Sequence, residues 1–156
     1  GRRTLFPVLL TLNAKLEFQS HGGQQVIPIE KFDRVPDSSI LVKVRIPVEE
    51  WEISLFRRLG PARIYTQDSG AFAFLANTQK GFLSDLRIAF GKWAAYRSVA
   101  LENELIGTRL PLSQKRRYAV LEYAAQGLKE SAAQVVSPVD RQLFLTLLEY
   151  SLELLT

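Results

Sequence analysis

The chain has 156 residues, 47% hydrophobic and 23% charged, with 20 basic against 16 acidic side chains and a net charge of +4. These proportions describe an ordinary globular domain, and no apolar run approaches the ~20 residues of a membrane-spanning helix. With no cysteine and a single histidine, His21, thiolate nucleophiles, disulfides, iron–sulfur ligation and His-based triads or metal sites are excluded. Chemistry must come from carboxylates, hydroxyls or a cofactor. The positive charge is mild and dispersed, which argues against a nucleic-acid partner. Methionine is also absent, and Gly1-Arg2-Arg3 leads straight into an apolar run from Leu5 to Leu12. Pro7 and the lack of a small-residue cleavage site do not suit a secretory signal, so the chain reads as a piece of something longer.

In chain order, Thr4 to Leu12 predicts a short buried helix with Pro7 in its first turn and Asn13 at its end. Leu16 and Phe18 alternate with polar residues, and Val26, Ile27 and Ile29 follow Ser20-His21-Gly22-Gly23. This is a β-hairpin with His21 at a solvated tip. Phe32 to Ser39 is a turn-rich connector. Ile40 to Pro47 is a strand with Ile40, Val42, Val44 and Ile46 on one face and Leu41, Lys43 and Arg45 on the other. Continued alternation through Trp51, Ile53, Leu55 and Arg57 predicts a second hairpin over Ile40 to Arg58. Leu59 to Asp68 reads as an irregular loop. Gly70 to Asn77 is so apolar that both faces should be covered. Leu83 to Phe90 alternates again, with Leu86, Ile88 and Phe90 inward and Asp85 and Arg87 outward.

After Gly91 the period changes to about 3.6. Arg97 to Ile106 predicts a helix closed by Gly107. Ser113 caps a second helix with a stripe of Tyr118, Leu121, Ala125 and Leu128, weakened at Gly127 by about 1 kcal/mol relative to alanine. Ser137-Pro138-Val139-Asp140 opens a third, through Leu155. Strands first and helices last give an α+β fold, an antiparallel sheet with C-terminal helices packed on one face.

The chain has no Gly-x-Gly-x-x-Gly, phosphate loop, nucleophile elbow or metal-ligand spacing. Glu49, Glu50 and Glu52 read either as an acid/base pair or as a solvated turn, the latter being commoner. Lys115-Arg116-Arg117 reads as a phosphate contact or an exposed helix face. Arg57-Arg58-Leu59-Gly60-Pro61-Ala62-Arg63, followed by Tyr65 and Asp68, offers guanidinium forks and an aromatic face to a planar anionic ligand. An internally tied loop explains it equally well.

Taken in order, these segments resemble the C-terminal portion of the FAD-binding subunit of molybdenum hydroxylases, the xanthine dehydrogenase and carbon monoxide dehydrogenase group. The resemblance rests on Leu5-Phe6-Pro7-Val8-Leu9-Leu10 with Ala14-Lys15-Leu16, on Gly23 to Ile29, and on Ser39 to Pro47. It continues through Phe56-Arg57-Arg58 with Gly60-Pro61-Ala62-Arg63 and Asp68, then Ile88-Ala89-Phe90-Gly91, Arg97, Glu102, Leu105 and Gly107. Residues 1–48 would complete an FAD-binding lobe, and 49–156 would form a separate α+β domain closing over the flavin. Ile40 and Leu41 would pack on or near the ring, with Arg57 close to it and Leu59 to Asp68 covering its face.

The resemblance further implies a cytoplasmic oxidoreductase component. Its partners would be a molybdenum-cofactor subunit, an Fe–S subunit and the upstream FAD lobe, with the molybdenum cofactor and Fe–S clusters on those partners only. The loops that hold the FAD pyrophosphate belong to that upstream lobe, so this piece should hold FAD weakly. Thr4 stands where the family often has an acid, the Phe32 to Ile40 connector is short, and the C-terminal helix lacks the common Tyr-Arg pair. A flavin-free assembly domain, binding partner subunits through its C-terminal helices, is the competing reading.

Overall fold

A computed structural model describes residues 2–60, 69–91, 95–131 and 137–155. Helix α1 (Arg2–Thr11) holds Pro7 in its middle rather than in its first turn. Proline there removes the N–H that would bond the residue 3 carbonyl and crowds that carbonyl with its ring. Asn13, at φ 49°, ends the helix, and the Ala14 N–H returns to the Leu9 carbonyl at 3.0 Å. Strands β1 (Lys15–Ser20) and β2 (Gly23–Pro28) form the expected hairpin. Gly23 alone at its tip takes positive φ, 122°, and His21 is exposed. A 3-10 turn, Ile29–Lys31, follows.

Strand β3 (Ile40–Arg45) does not form a hairpin with the segment after it, contrary to the sequence expectation. It pairs back onto β1, giving a three-stranded sheet in the order β2-β1-β3. Residues 46–52 then cross to a second sheet built from β4 (Ile53–Leu59), β5 (Gly70–Gln79), β6 (Phe82–Gly91) and β7 (Ala95–Arg97), in that order. The alternation that runs through Trp51, Ile53 and Leu55 is real, but period two cannot tell one sheet from the next.

The second sheet is covered on both faces, as the apolar run of β5 predicts. Phe72, Phe74 and Ala76 on β5 oppose Phe90, Ile88 and Leu86 on β6, and all six lie in the larger core. On the other face Ala71 opposes Gly91 and Ala73 opposes Ala89, so that end is small, whereas Leu75 opposes Arg87 further along. The bulky face takes α2 (Val99–Leu105), α3 (Gln114–Ser131) and α4 (Pro138–Glu153). The small-residue end of the other face lets α1 lie close against β5 and β6, joining Leu10, Leu16, Phe18, Ile29 and Ala89 in a second core. The turn between β5 and β6 is Lys80-Gly81, both at positive φ (53° and 79°), the geometry two-residue hairpins favour.

The C-terminal helices lie on one face of this sheet, as expected, with local corrections. Arg97 belongs to β7, and Ser98 caps α2, accepting from the Leu101 N–H at 3.2 Å. Ser113 does cap α3; of the expected stripe Leu128 is buried and Leu121 packs partly buried against the core, but Tyr118 is exposed, and Val120 and Ala124 complete the buried stripe. Val120 and Ala124 each precede an expected position, Leu121 and Ala125, by one residue, so the buried stripe is turned by about 100° there while keeping the same period. Ser137 caps α4 as its sequence predicts, receiving the Asp140 N–H at 3.1 Å. From α4, Phe144 meets Phe72, Phe90 and Tyr96 edge-on, with ring centroids 6.1, 5.3 and 5.7 Å away.

Arg97 fastens these layers together. Its guanidinium donates to both Glu102 oxygens (2.9 and 3.0 Å), to the Leu10 carbonyl (2.8 Å) and to Asn13 Oδ1 (2.7 Å). Glu102 Oε1 also accepts the Ile88 N–H at 2.9 Å. Both side chains are largely buried, at 16% and 4% exposure. Removing one member of such a pair strands the other charge, typically at a cost of about 3–5 kcal/mol. Arg97→Met should therefore lower the urea unfolding free energy by roughly that amount, and Glu102→Gln in the same chain should recover part of it.

Candidate functional site

The structure distributes the sequence-derived site residues over two edge strands. Ile40 and Leu41 lie on β3, the edge of the three-stranded sheet, and Arg57 lies on β4, the edge of the four-stranded sheet. Every residue of β3 is exposed, including Ile40 at 68% and Leu41 at 50%. The pairing of Glu17 with Lys43 and of the next residue, Phe18, with Leu41 leaves Val42 as the extra residue of a β-bulge. The bulge reverses the facing read from simple alternation. Leu41 shares the face of Phe18 and Val44, whereas Ile40 lies opposite Gln19 on the face where Lys43 and Arg45 flank Glu17. The Glu17 carboxylate, 5% exposed, accepts from Arg45 Nε at 2.7 Å.

Arg57 pairs across to Phe72 and is exposed. Its guanidinium reaches the Phe56 carbonyl at 3.4 Å, and Phe56 itself is 46% exposed. Among the described residues no hydrogen bond or ion pair joins Arg57 to Ile40 or Leu41. Arg63, Tyr65 and Asp68 lie outside the described residues.

The other charged motifs have structural employment. Glu49 pairs with Arg87 at 2.7 Å. Contrary to the outward placement read from alternation, Arg87 is 9% exposed. It donates to the Thr11 carbonyl at 3.0 Å and lies 4.6 Å from the Trp51 ring centroid, so the crossover and the end of α1 enclose it. Glu52 Oε2 accepts the Thr78 hydroxyl (2.7 Å) and N–H (2.8 Å). Arg116 reaches the Glu104 carboxylate at 3.2 Å, and Arg117 the Glu153 carboxylate at 3.2 Å.

One concave feature escaped the sequence reading. Tyr96, Ser98 and Ala100 face Ala119, Glu122 and Tyr123 of α3 across a groove. Burial pushes the Tyr96 phenol above its usual range, against a hydrogen bond with Ser98 and with reinforcement from Tyr123. The available signal was Gly127: an interior helical glycine usually has a packing reason, and a Cβ there would sit 3.1 Å from the Tyr96 hydroxyl.

No family model and no curated protein matches the chain. Solved structures do. The carbon monoxide dehydrogenase of Hydrogenophaga pseudoflava, in a form lacking the Mo-pyranopterin moiety of the molybdenum cofactor, superposes with a TM-score of 0.70 at 13% identity, over 96% of this chain and 53% of that one. Reconstituted carbon monoxide dehydrogenase from Oligotropha carboxidovorans gives 0.70 at 14% over 97% and 54%. Quinoline 2-oxidoreductase from Pseudomonas putida 86 gives 0.65 at 19% over 97% and 53%. The α+β fold is thus shared with chains of these carbon monoxide dehydrogenase and quinoline 2-oxidoreductase structures, and this chain spans about half their length. Among the described residues no helix is long and apolar enough to cross a membrane.

The Thr78 hydrogen bonds hold the Glu52 carboxyl below the usual carboxylate range. A depressed folded-state pKa adds stability above the unfolded value, and that stability is lost as pH falls through the folded one. The melting temperature of Glu52→Gln should therefore lie below the parent's at neutral pH and converge with it in strong acid, as thermal melts across pH will read.

Proposed function

We propose that this chain is the C-terminal half of an FAD-binding component of a molybdenum-hydroxylase-type oxidoreductase, relaying electrons from molybdenum and Fe–S partner subunits to an acceptor. The observation that carries this reading is the agreement of fold over 96–97% of the chain, joined to the order of motifs in the sequence. In this reading residues 1–48 complete the flavin lobe and 49–156 form the domain that closes over it. The uncovered apolar edge of β3 supports the division, since Ile40, Leu41, Val42, Val44 and Ile46 are 40–68% exposed. An apolar patch of this kind marks a surface built to be covered, here by the upstream lobe and the ring. A cytoplasmic location accompanies the reading.

The residues present fit the ring end of FAD and not its phosphates. Bound flavin supplies two-electron redox chemistry that no side chain of this composition provides. Ile40 and Leu41 offer exposed branched apolar surface to a planar heterocycle. Because they face opposite sides of β3, one of them meets the ring and the other meets the polypeptide that covers the strand. Arg57 brings a permanent positive charge on an exposed edge, and a cation beside the ring stabilises the negative charge that reduction adds. No glycine-rich loop in this sequence serves the pyrophosphate.

The test is to purify the complete polypeptide without stripping cofactors and to titrate the 156-residue chain with FAD in parallel. Flavin absorbance in the complete protein with weak binding here is expected; a colourless complete protein that still co-purifies with its partners would overturn the assignment. Arg57→Ala in the complete protein should lower the flavin reduction potential, measured by redox titration, and an unchanged potential removes that role from Arg57.

A further inference from the structure

The groove between β7–α2 and α3 measures about 850 Å³, within the size range of small-molecule sites. Its space comes from small residues, Ala100, Ala119 and Gly127, and its walls from Tyr96 and Tyr123. On α3 the lining positions 119, 122, 123, 126 and 127 form a stripe beside the buried one. The groove is therefore a second face of the helix and not a gap in the core.

Its electrostatics are one-sided. Arg97 lines the groove, but four acceptors already occupy its guanidinium. Glu122 is exposed, and among the described residues it has no hydrogen-bond or ion-pair partner. Its neighbours three and four positions away on α3 are Tyr118, Ala119, Ala125 and Gln126, none of them basic. Glu122, without a partner among the described residues, thus lines the same groove as two phenol rings. A single carboxylate is far short of the six to eight oxygens a calcium ion takes, and an anion would meet Glu122 with no free guanidinium to offset it. An organic cation gains twice, from the carboxylate and from the negative faces of the rings.

We propose that this groove binds a small organic cation of the substituted-ammonium class, with Glu122 as its charge partner and Tyr123 and Tyr96 as its aromatic walls. Choline is the probe, and 3,3-dimethylbutan-1-ol is its neutral isostere. In the 156-residue chain carrying ring-labelled tyrosine, choline should shift the Tyr96 and Tyr123 resonances saturably, and the isostere should bind about tenfold more weakly, the scale of a desolvated cation–π and charge contact. Glu122→Gln, at an exposed position, should weaken choline about tenfold and leave the isostere unchanged, and Tyr123→Leu should weaken choline through loss of the ring. Unsaturable shifts, equal affinity for choline and isostere, or unchanged choline binding in Glu122→Gln would each overturn the proposal.

Discussion

The Arg97–Glu102 pair is the constraint on which the arrangement depends. Burying two charges is costly and is repaid only when every remaining donor and acceptor is satisfied. Here the satisfying groups come from the end of α1, the middle of β6, the end of β7 and the first turn of α2. Arg97 reaches Leu10 across 87 positions of sequence, so the N-terminal helix and the β6–β7–α2 segment share one polar junction. That junction fixes where α1 ends, and the end of α1 fixes where the first hairpin begins.

Around it, the four-stranded sheet assigns its two faces by side-chain volume. Phenylalanines at positions 72, 74 and 90 interlock with the C-terminal helices, where Phe144 fills the space between them. Alanines at 71, 73 and 89 make one end of the reverse face low enough for a helix to approach, and Arg87 further along that face donates to the end of the helix. The bulky face demands interdigitation, whereas the low end of the reverse face tolerates a short helix carrying an internal proline. The three-stranded sheet, attached beside the reverse face, buries Leu16 and Phe18 of its central strand and leaves β3 outside both cores.

How far this could be read in advance follows from the kind of signal each feature leaves. The first hairpin, the doubly covered β5, the caps at Ser113 and Ser137 and the α+β order were legible because they depend on local composition and period. The pairing of β3 with β1 was not, since partner choice between strands depends on distant residues. The bulge at Val42 left no mark, as a single extra residue preserves composition while reversing every face beyond it. Arg87 looked outward by alternation and is outward from the larger core, yet Trp51, Glu49 and the Thr11 carbonyl enclose it from elements that alternation cannot see. Of the candidate site, Ile40, Leu41 and the flavin-side place of Arg57 came from the family resemblance, and the expected hairpin over Ile40 to Arg58 hid their distribution over two sheets.

The bare edge of β3 also has a meaning for the chain as a material. Unpaired strands rich in branched apolar residues are templates for intermolecular pairing, and proteins usually guard them with lysine or arginine. Lys43 and Arg45 occupy that guarding position, but Arg45 is held by the Glu17 carboxylate on the adjacent strand and Lys43 stands 4.0 Å from it. Part of the charge that would repel a second copy is thereby neutralised within the sheet. Concentrated alone, the chain would favour edge-to-edge self-association, and its solubility would depend on whatever polypeptide takes that edge.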